Sequence, residues 1–159
     1  MNTQTFTYNN EIINVGSDQW KDAVLSTDPF EGDFGDGPNL SDKIVKTRNT
    51  KQLCSDCLSI CQPGTYSRVI VANVDGQLLT NRYCEDCCTA MGFDELHHDY
   101  QQHDLYADDV DEDFEEIMLS EVRYELRTKN EQLLIKALGN RYFEATDEKR
   151  YAVMLKHTK

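Results

Sequence analysis

Cys54-Ser55-Asp56-Cys57 and Cys84-Glu85-Asp86-Cys87 repeat one pattern, a cysteine pair with a two-residue spacer, across 26 intervening residues. The short spacer lets both sulfurs of a tight turn face one ion, and two such turns complete a tetrahedral set of thiolates at about 2.3 Å from a zinc. What lies between the pairs explains how they meet. Arg68-Val69-Ile70-Val71-Ala72-Asn73-Val74 is rich in β-branched residues, Asp75-Gly76 is a two-residue hairpin turn, and Gln77 to Tyr83 returns. A hairpin brings its ends together, so the second pair is carried back to the first.

The flanks agree. Pro63-Gly64 supplies a turn into the hairpin, and Cys88-Thr89-Ala90-Met91 reads as a helix start. Cys84 and Cys87 then sit at a helix N-terminus, where the dipole and free amides favour thiolate over thiol. Knuckle, hairpin and helix in that order is the layout of a treble-clef zinc module. The expected fold class is therefore α+β, with a zinc module over 40–92 and one structural Zn2+ held by Cys54, Cys57, Cys84 and Cys87. Accidental spacing of buried cysteines and a redox pair are the competing explanations. The redox pair would need a βαβ setting, which the pattern lacks.

All six cysteines fall between positions 54 and 88. The start, Met1-Asn2-Thr3-Gln4-Thr5, has no basic and apolar leader, and no stretch is apolar enough to span a bilayer, so a soluble chain in a reducing cytoplasm is expected. Cys61 and Cys88 exceed the four ligands needed and are expected as small buried hydrophobes, with replacement of a neighbour in the ligand set as the alternative. Four cysteine ligands close a site that catalysis would need open. No phosphate loop, nucleophile elbow or zinc-protease motif occurs, so no catalytic residue is assigned and a non-enzymatic protein is expected.

Outward from the module, Thr5-Phe6-Thr7-Tyr8 alternates as a strand and Asp18 to Leu25 suits a short helix capped by Asp18. The Asp/Gly/Pro-rich run over 26–41 reads as a loop, and 1–39 as an N-terminal segment. Leu40 to Arg48 suits a strand against the cysteine module, with Lys43, Lys46, Arg48 and Lys51 as its bases. Towards the C-terminus, Phe114, Ile117, Met118, Val122 and Leu126 recur at helical steps, and Leu133, Leu134, Ala137 and Leu138 continue a second stripe up to Gly139. Thr128 and Glu131 resemble a capping box, which predicts two helices or one kinked near Lys129-Asn130. Asp147-Glu148-Lys149-Arg150 begins a terminal helix or turns between two strands. Residues 93–159 thus read as an acidic connector and a helical end.

The chain of 159 residues carries 16 basic and 29 acidic side chains, a formal charge of −13. The imbalance is concentrated: residues 83–122 hold 14 acids and no base, whereas 123–159 hold five acids and nine bases. An overall excess of acid argues against a conventional nucleic-acid binder, whose affinity rests on Lys and Arg at phosphates. The dense run Asp108-Asp109-Val110-Asp111-Glu112-Asp113-Phe114-Glu115-Glu116 is either a solvated approach to a helix or a surface that docks on a basic patch.

Asp33-Phe34-Gly35-Asp36, Leu40-Ser41-Asp42-Lys43-Ile44-Val45, Arg48, the first cysteine pair, Ile60, Gly64, Arg68, Asp75-Gly76, Arg82 and Cys84-x-x-Cys87-Cys88 together resemble a group of small zinc-finger proteins of tailed bacteriophages. The resemblance covers about residues 30–91. It implies a phage accessory protein with Cys54, Cys57, Cys84 and Cys87 as ligands, and it implies no activity. Cys61 is additional to the usual pattern.

Two functions follow as expectations. The first is a binding protein in the host cytoplasm that modulates or inhibits a host protein, such as a defence or transcription factor. It would dock on a basic surface through Asp99, Asp104, Asp108, Asp109, Asp111, Glu112, Asp113, Glu115 and Glu116. The second is a nucleic-acid-binding regulator acting through Lys43, Lys46, Arg48, Arg68 and Arg82. A second copy of the chain is a further possible partner, and a membrane is not expected.

Overall fold

The computed structural model describes residues 5–8, 11–27, 29, 39–48, 51–104 and 119–158; side-chain placement is described for these less 5–8, 11, 39, 97–104 and 119–122. The chain is α+β. Strands β1 (Thr5–Tyr8) and β2 (Glu11–Asn14) form a small antiparallel ribbon, followed by helix α1 (Asp18–Ser26). Strands β3 (Asn39–Lys46), β4 (Tyr66–Val74) and β5 (Gln77–Tyr83) form an antiparallel sheet in the order β3-β4-β5. Helices α2 (Glu85–Asp104), α3 (Leu119–Leu138) and α4 (Asp147–His157) follow among the described residues. Among the described residues no helix is long and apolar enough to cross a membrane.

The hairpin forms as its sequence predicts. Val74 pairs with Gln77 across Asp75 (φ 50°) and Gly76 (φ 81°), two successive left-handed residues that match the twist of the flanking strands. As the central strand, β4 buries Ser67, Arg68, Val69 and Ile70 in succession, so side chains on both of its faces are covered. The Leu40–Arg48 stretch pairs with it, Lys43 opposite Val69 and Lys46 opposite Tyr66.

Helix α1 begins one residue earlier in its cap than expected. Ser17, not Asp18, is the N-cap, its Oγ accepting from the Trp20 N–H at 3.2 Å, and Asp18 occupies the first turn, where its charge meets the dipole. Trp20 is 0% exposed and tilts on the Tyr66 ring at 5.6 Å between centroids. Gly16 (φ 86°) makes this possible, because a Cβ there would lie 2.4 Å from the Tyr66 ring.

Helix α3 runs through Lys129-Asn130 as one helix, so Thr128 and Glu131 form no capping box. Thr128 Oγ1 instead donates to the Tyr124 carbonyl in its own helix, and Glu131 accepts from the Tyr142 hydroxyl at 2.9 Å. Beyond Leu138 a 3-10 turn at Gly139–Arg141 leads to α4, a helix rather than a strand pair, capped by Thr146 through the Lys149 N–H.

Among the described residues, two apolar cores share the knuckle between them. One gathers Ile13, Trp20, Val24, Ile70 and Tyr83 with all six cysteines. The other joins Ile60 to Leu134, Tyr142 and Met154, with Leu53 and Leu58 packed against it. The cysteine turn is thus held on one side by the sheet and α2, and on the other by the C-terminal helices.

Candidate metal centre

The first cysteine pair lies on a tight loop closed at both ends. The Cys54 N–H donates to the Ser59 carbonyl at 2.7 Å, the Leu58 N–H to the Cys54 carbonyl at 3.1 Å, and the Cys61 N–H to the Gln52 carbonyl at 3.0 Å. Leu53 bridges Ile60 across the loop, and Leu58 takes a left-handed conformation (φ 62°) to close it. The end of the hairpin grips this loop. The Ser55 N–H donates to the Arg82 carbonyl at 2.7 Å, and the Arg82 N–H returns to Ser55 Oγ at 3.1 Å. The second pair follows at once, Cys84 immediately before α2 and Cys87 in its first turn.

The four sulfurs of Cys54, Cys57, Cys84 and Cys87 lie within 4.8 Å of one another, and all four residues are buried. The Cys57 and Cys84 sulfurs are 3.7 Å apart. Thiolates at about 2.3 Å from a tetrahedral ion would stand about 3.8 Å apart, so the cluster has the right size to hold one metal ion. The Cys84 N–H points at Cys54 Sγ at 3.3 Å, the kind of amide-to-thiolate bond that steadies a ligand. Bonds from Cys54, Cys84 and Cys87 hold the Cys57 thiol well below its usual range. Cys84 and Cys87 are pushed up, first by their bonds to Cys54. Four sulfurs so close cannot all carry charge without a cation among them.

Cys61 and Cys88 stay outside the cluster. Both are buried, and burial pushes each thiol up to about 12. Cys88 Sγ faces the Tyr83 carbonyl at 3.6 Å. They fill core space beside the site, as free cysteine does when it acts as a small hydrophobe.

Helix α3 supplies what the sequence reading did not contain. The Arg123 guanidinium reaches three of the four sulfurs, Nη2 at 3.0 Å from Cys57 and 3.5 Å from Cys84, Nε at 3.2 Å from Cys87. One turn on, Arg127 Nη1 donates to the Ser55 and Asp56 carbonyls at 2.7 and 2.6 Å. After a further turn, the buried Asn130 Nδ2 donates to the Cys57 carbonyl at 2.8 Å and to Ser59 Oγ at 3.1 Å. Arg123, Arg127 and Asn130 are spaced i, i+4, i+7, so they form one line down the helix. That spacing is the only trace they leave in the sequence. A cation over an anionic thiolate cluster offsets part of its charge, and the two residues after it tie down the carbonyls of the cysteine turn.

Lys43, Lys46 and Arg48 are exposed on or just after β3. Arg68 is 2% exposed and turned inward: it forms a two-pronged ion pair with Asp42 at 2.8 and 2.9 Å, and Nη1 donates to the Val24 and Thr27 carbonyls. Its charge ties α1 to the sheet instead of facing solvent. Arg82 Nε donates to Gln52 Oε1. The backbones of Asp99 and Asp104 belong to α2, whereas Asp108, Asp109, Asp111, Glu112, Asp113, Glu115 and Glu116 lie outside the described residues, as do Phe114, Ile117 and Met118.

Together the fold and the site define a small α+β protein built around four clustered cysteines that could hold one metal ion, with the C-terminal helices clasping the first knuckle. No protein family, curated protein or solved structure matches the chain.

Proposed function

We propose that the chain is a non-enzymatic, zinc-stabilised binding protein of bacteriophage origin that docks on a basic surface of a host protein and modulates it. Four buried cysteine sulfurs within 4.8 Å of one another support the zinc-stabilised part of this reading. With all four positions taken by thiolates, a zinc has no place for water or substrate, so its contribution is to folding, about 10 kcal/mol or more. Arg123 adds to it by covering the sulfur cluster from the side that α3 occupies. The phage origin rests on the resemblance over about 30–91. The partner's chemistry rests on charge, since 83–122 hold 14 acids and no base. Such a surface attracts a basic patch over roughly a Debye length and speeds encounter.

The nucleic-acid alternative loses Arg68, whose guanidinium is committed inside the fold, and keeps Lys43, Lys46 and Arg48 as exposed bases. A pull-down from host lysate at low and high salt separates the two. Capture of a basic protein, weakened by salt and by replacing Asp109, Asp111, Asp113 and Glu116 with Asn and Gln, supports docking. Retention on DNA that those replacements leave unchanged would reject it.

A further inference from the structure

Beside the first knuckle lies a cavity of about 370 Å³ that is walled by the end of β5, the cysteine turn, α3 and the first turn of α4. Three arginines from three elements line it: Arg82 from β5, Arg127 from α3 and Arg150 from α4. Asp147 is the only carboxylate among the lining residues, and Cys54 of the sulfur cluster lines the cavity too, so three guanidinium cations face one carboxylate and the edge of that cluster. Among the described residues, none of the three guanidinium groups is ion-paired, since Arg68 with Asp42 forms the one salt bridge. Glu131, nearby, accepts from the Tyr142 hydroxyl and is not part of the lining.

The arginines are held without being saturated. Arg82 uses Nε on Gln52, Arg127 uses Nη1 on the Ser55 and Asp56 carbonyls, and Arg150 uses Nη2 on the Tyr142 carbonyl while lying 5.0 Å over the Tyr142 ring. Both Nη groups of Arg82 and Nη2 of Arg127 have no protein partner among the described residues. Arg150 Nε is buried from solvent and bonded to nothing, the one such side-chain atom among the described residues. That N–H is costly where it stands, but nothing the size of a water touches it from the cavity, so the donors that face a ligand are the Nη groups. Arg82 is fixed at its stem with both tips open, while Arg127 and Arg150 are each fixed by one tip and keep the other, and such partly open forks suit a tetrahedral oxyanion better than a single carboxylate.

We propose that this cavity binds a small organic phosphomonoester, its phosphate among Arg82, Arg127 and Arg150 and its organic part against Leu53 and Leu58. Charge and size both select that class. A phosphomonoester carries about −1.5 to −2 at neutral pH, a dianion that three converging guanidinium groups can pair where one carboxylate opposes it. The volume falls in the range of about 300 to 1,000 Å³ typical of small-molecule sites, more than a bare phosphate fills. Arg127 joins this cavity to the metal centre, since the same side chain anchors the carbonyls of the cysteine turn. The inference does not depend on which metal the cysteines hold.

The test is calorimetric titration of the full-length, metal-loaded protein in phosphate-free buffer with adenosine 5′-monophosphate, adenosine, inorganic phosphate and a short DNA strand lacking terminal phosphates. Saturable binding of the monophosphate is expected, with inorganic phosphate weaker by about tenfold or more and adenosine silent. Arg150→Gln should weaken it by about tenfold. Because Arg150 also steadies Tyr142, Asp147→Asn is the decisive variant: removing the only carboxylate of the wall should tighten binding several-fold, a gain that misfolding cannot imitate. No binding of the monophosphate, equal binding of inorganic phosphate, binding of the DNA strand in its place, or unchanged affinity in Asp147→Asn would each overturn the proposal.

Discussion

Arg123 Nη2 lies 3.0 Å from Cys57 Sγ, and the same guanidinium touches Cys84 and Cys87. A residue 66 positions away in the chain therefore completes the surroundings of the first knuckle. Four thiolates around a divalent ion carry two net negative charges, and a half-buried cation against them offsets one of these without occupying a coordination position. Helix α3 is consequently part of the cysteine cluster's surroundings.

Loss of that cation should loosen the ion. In Arg123→Ala, retention of zinc against a chromogenic chelator is expected to fall by about 10- to 100-fold, the range found for groups that support metal ligands. Arg123→Lys should recover part of the loss, because charge returns while the fork does not. Equal retention in the wild type and the alanine variant would mean that the contacts are incidental.

Loss of a ligand should act on the whole fold. Cys57→Ser or Cys84→Ser is expected to lower bound metal from about one ion per chain towards none and to abolish cooperative melting, because the sulfurs sit inside the main core and the ion replaces apolar burial there. Elemental analysis with calorimetry reads both quantities. Full melting cooperativity in metal-free protein would refute a structural ion.

Asn130 tests the clasp separately from the charge. Asn130→Ala leaves the buried Cys57 carbonyl without the amide that donates to it and should cost about 1 to 3 kcal/mol in denaturant unfolding. A loss within 0.5 kcal/mol, the range of about ±0.5 kcal/mol usual for surface changes, would show that the turn holds itself.

Arg68 joins α1 to the sheet through Asp42 and two carbonyls. Arg68→Ala strands these acceptors and should destabilise the fold by about 3 kcal/mol, while Asp42→Asn, which keeps a hydrogen-bonding side chain, should cost less. Denaturant titration of the two variants at constant metal load measures the difference.

Native-state alkylation tests whether the two cysteines beside the cluster are closed to solvent. Cys61 and Cys88 are buried thiols held up to about 12 by that burial, so neither should react while the protein is folded and metal-loaded. Chelator with denaturant should release six reactive thiols, read by mass spectrometry.

Local chemistry made much of the module readable in advance. Asp75-Gly76 accepts two left-handed conformations, β-branched runs on either side favour strands, and a two-residue spacer points two sulfurs inward. Each of these properties belongs to neighbouring residues, so the hairpin, both knuckles and the four-cysteine set follow from the chain alone. Local rules failed where several side chains offered the same service. Ser17 and Asp18 are both able caps, and the backbone chose the residue whose conformation is extended (ψ 161°). Thr128 and Glu131 have capping-box spacing, yet helix α3 passes through them because its apolar side chain Leu134 is 0% exposed in the second core, and that packing outweighs a local stop signal.

What the chain determined by itself is the metal-binding pattern and the sheet that brings its halves together. What only the tertiary structure decided is which charges serve the inside. Arg68, Arg123 and Arg127 are indistinguishable by type from Lys43 or Arg48, and a polar line at i, i+4, i+7 looks the same whether it faces water or a cysteine turn. Docking of α3 against the knuckle resolves that ambiguity, because a buried carbonyl or thiolate gains far more from a fixed donor than water-exposed groups do. The same docking gathers Arg82, Arg127 and Arg150 around one cavity, a juxtaposition of residues from three elements that no local pattern encodes.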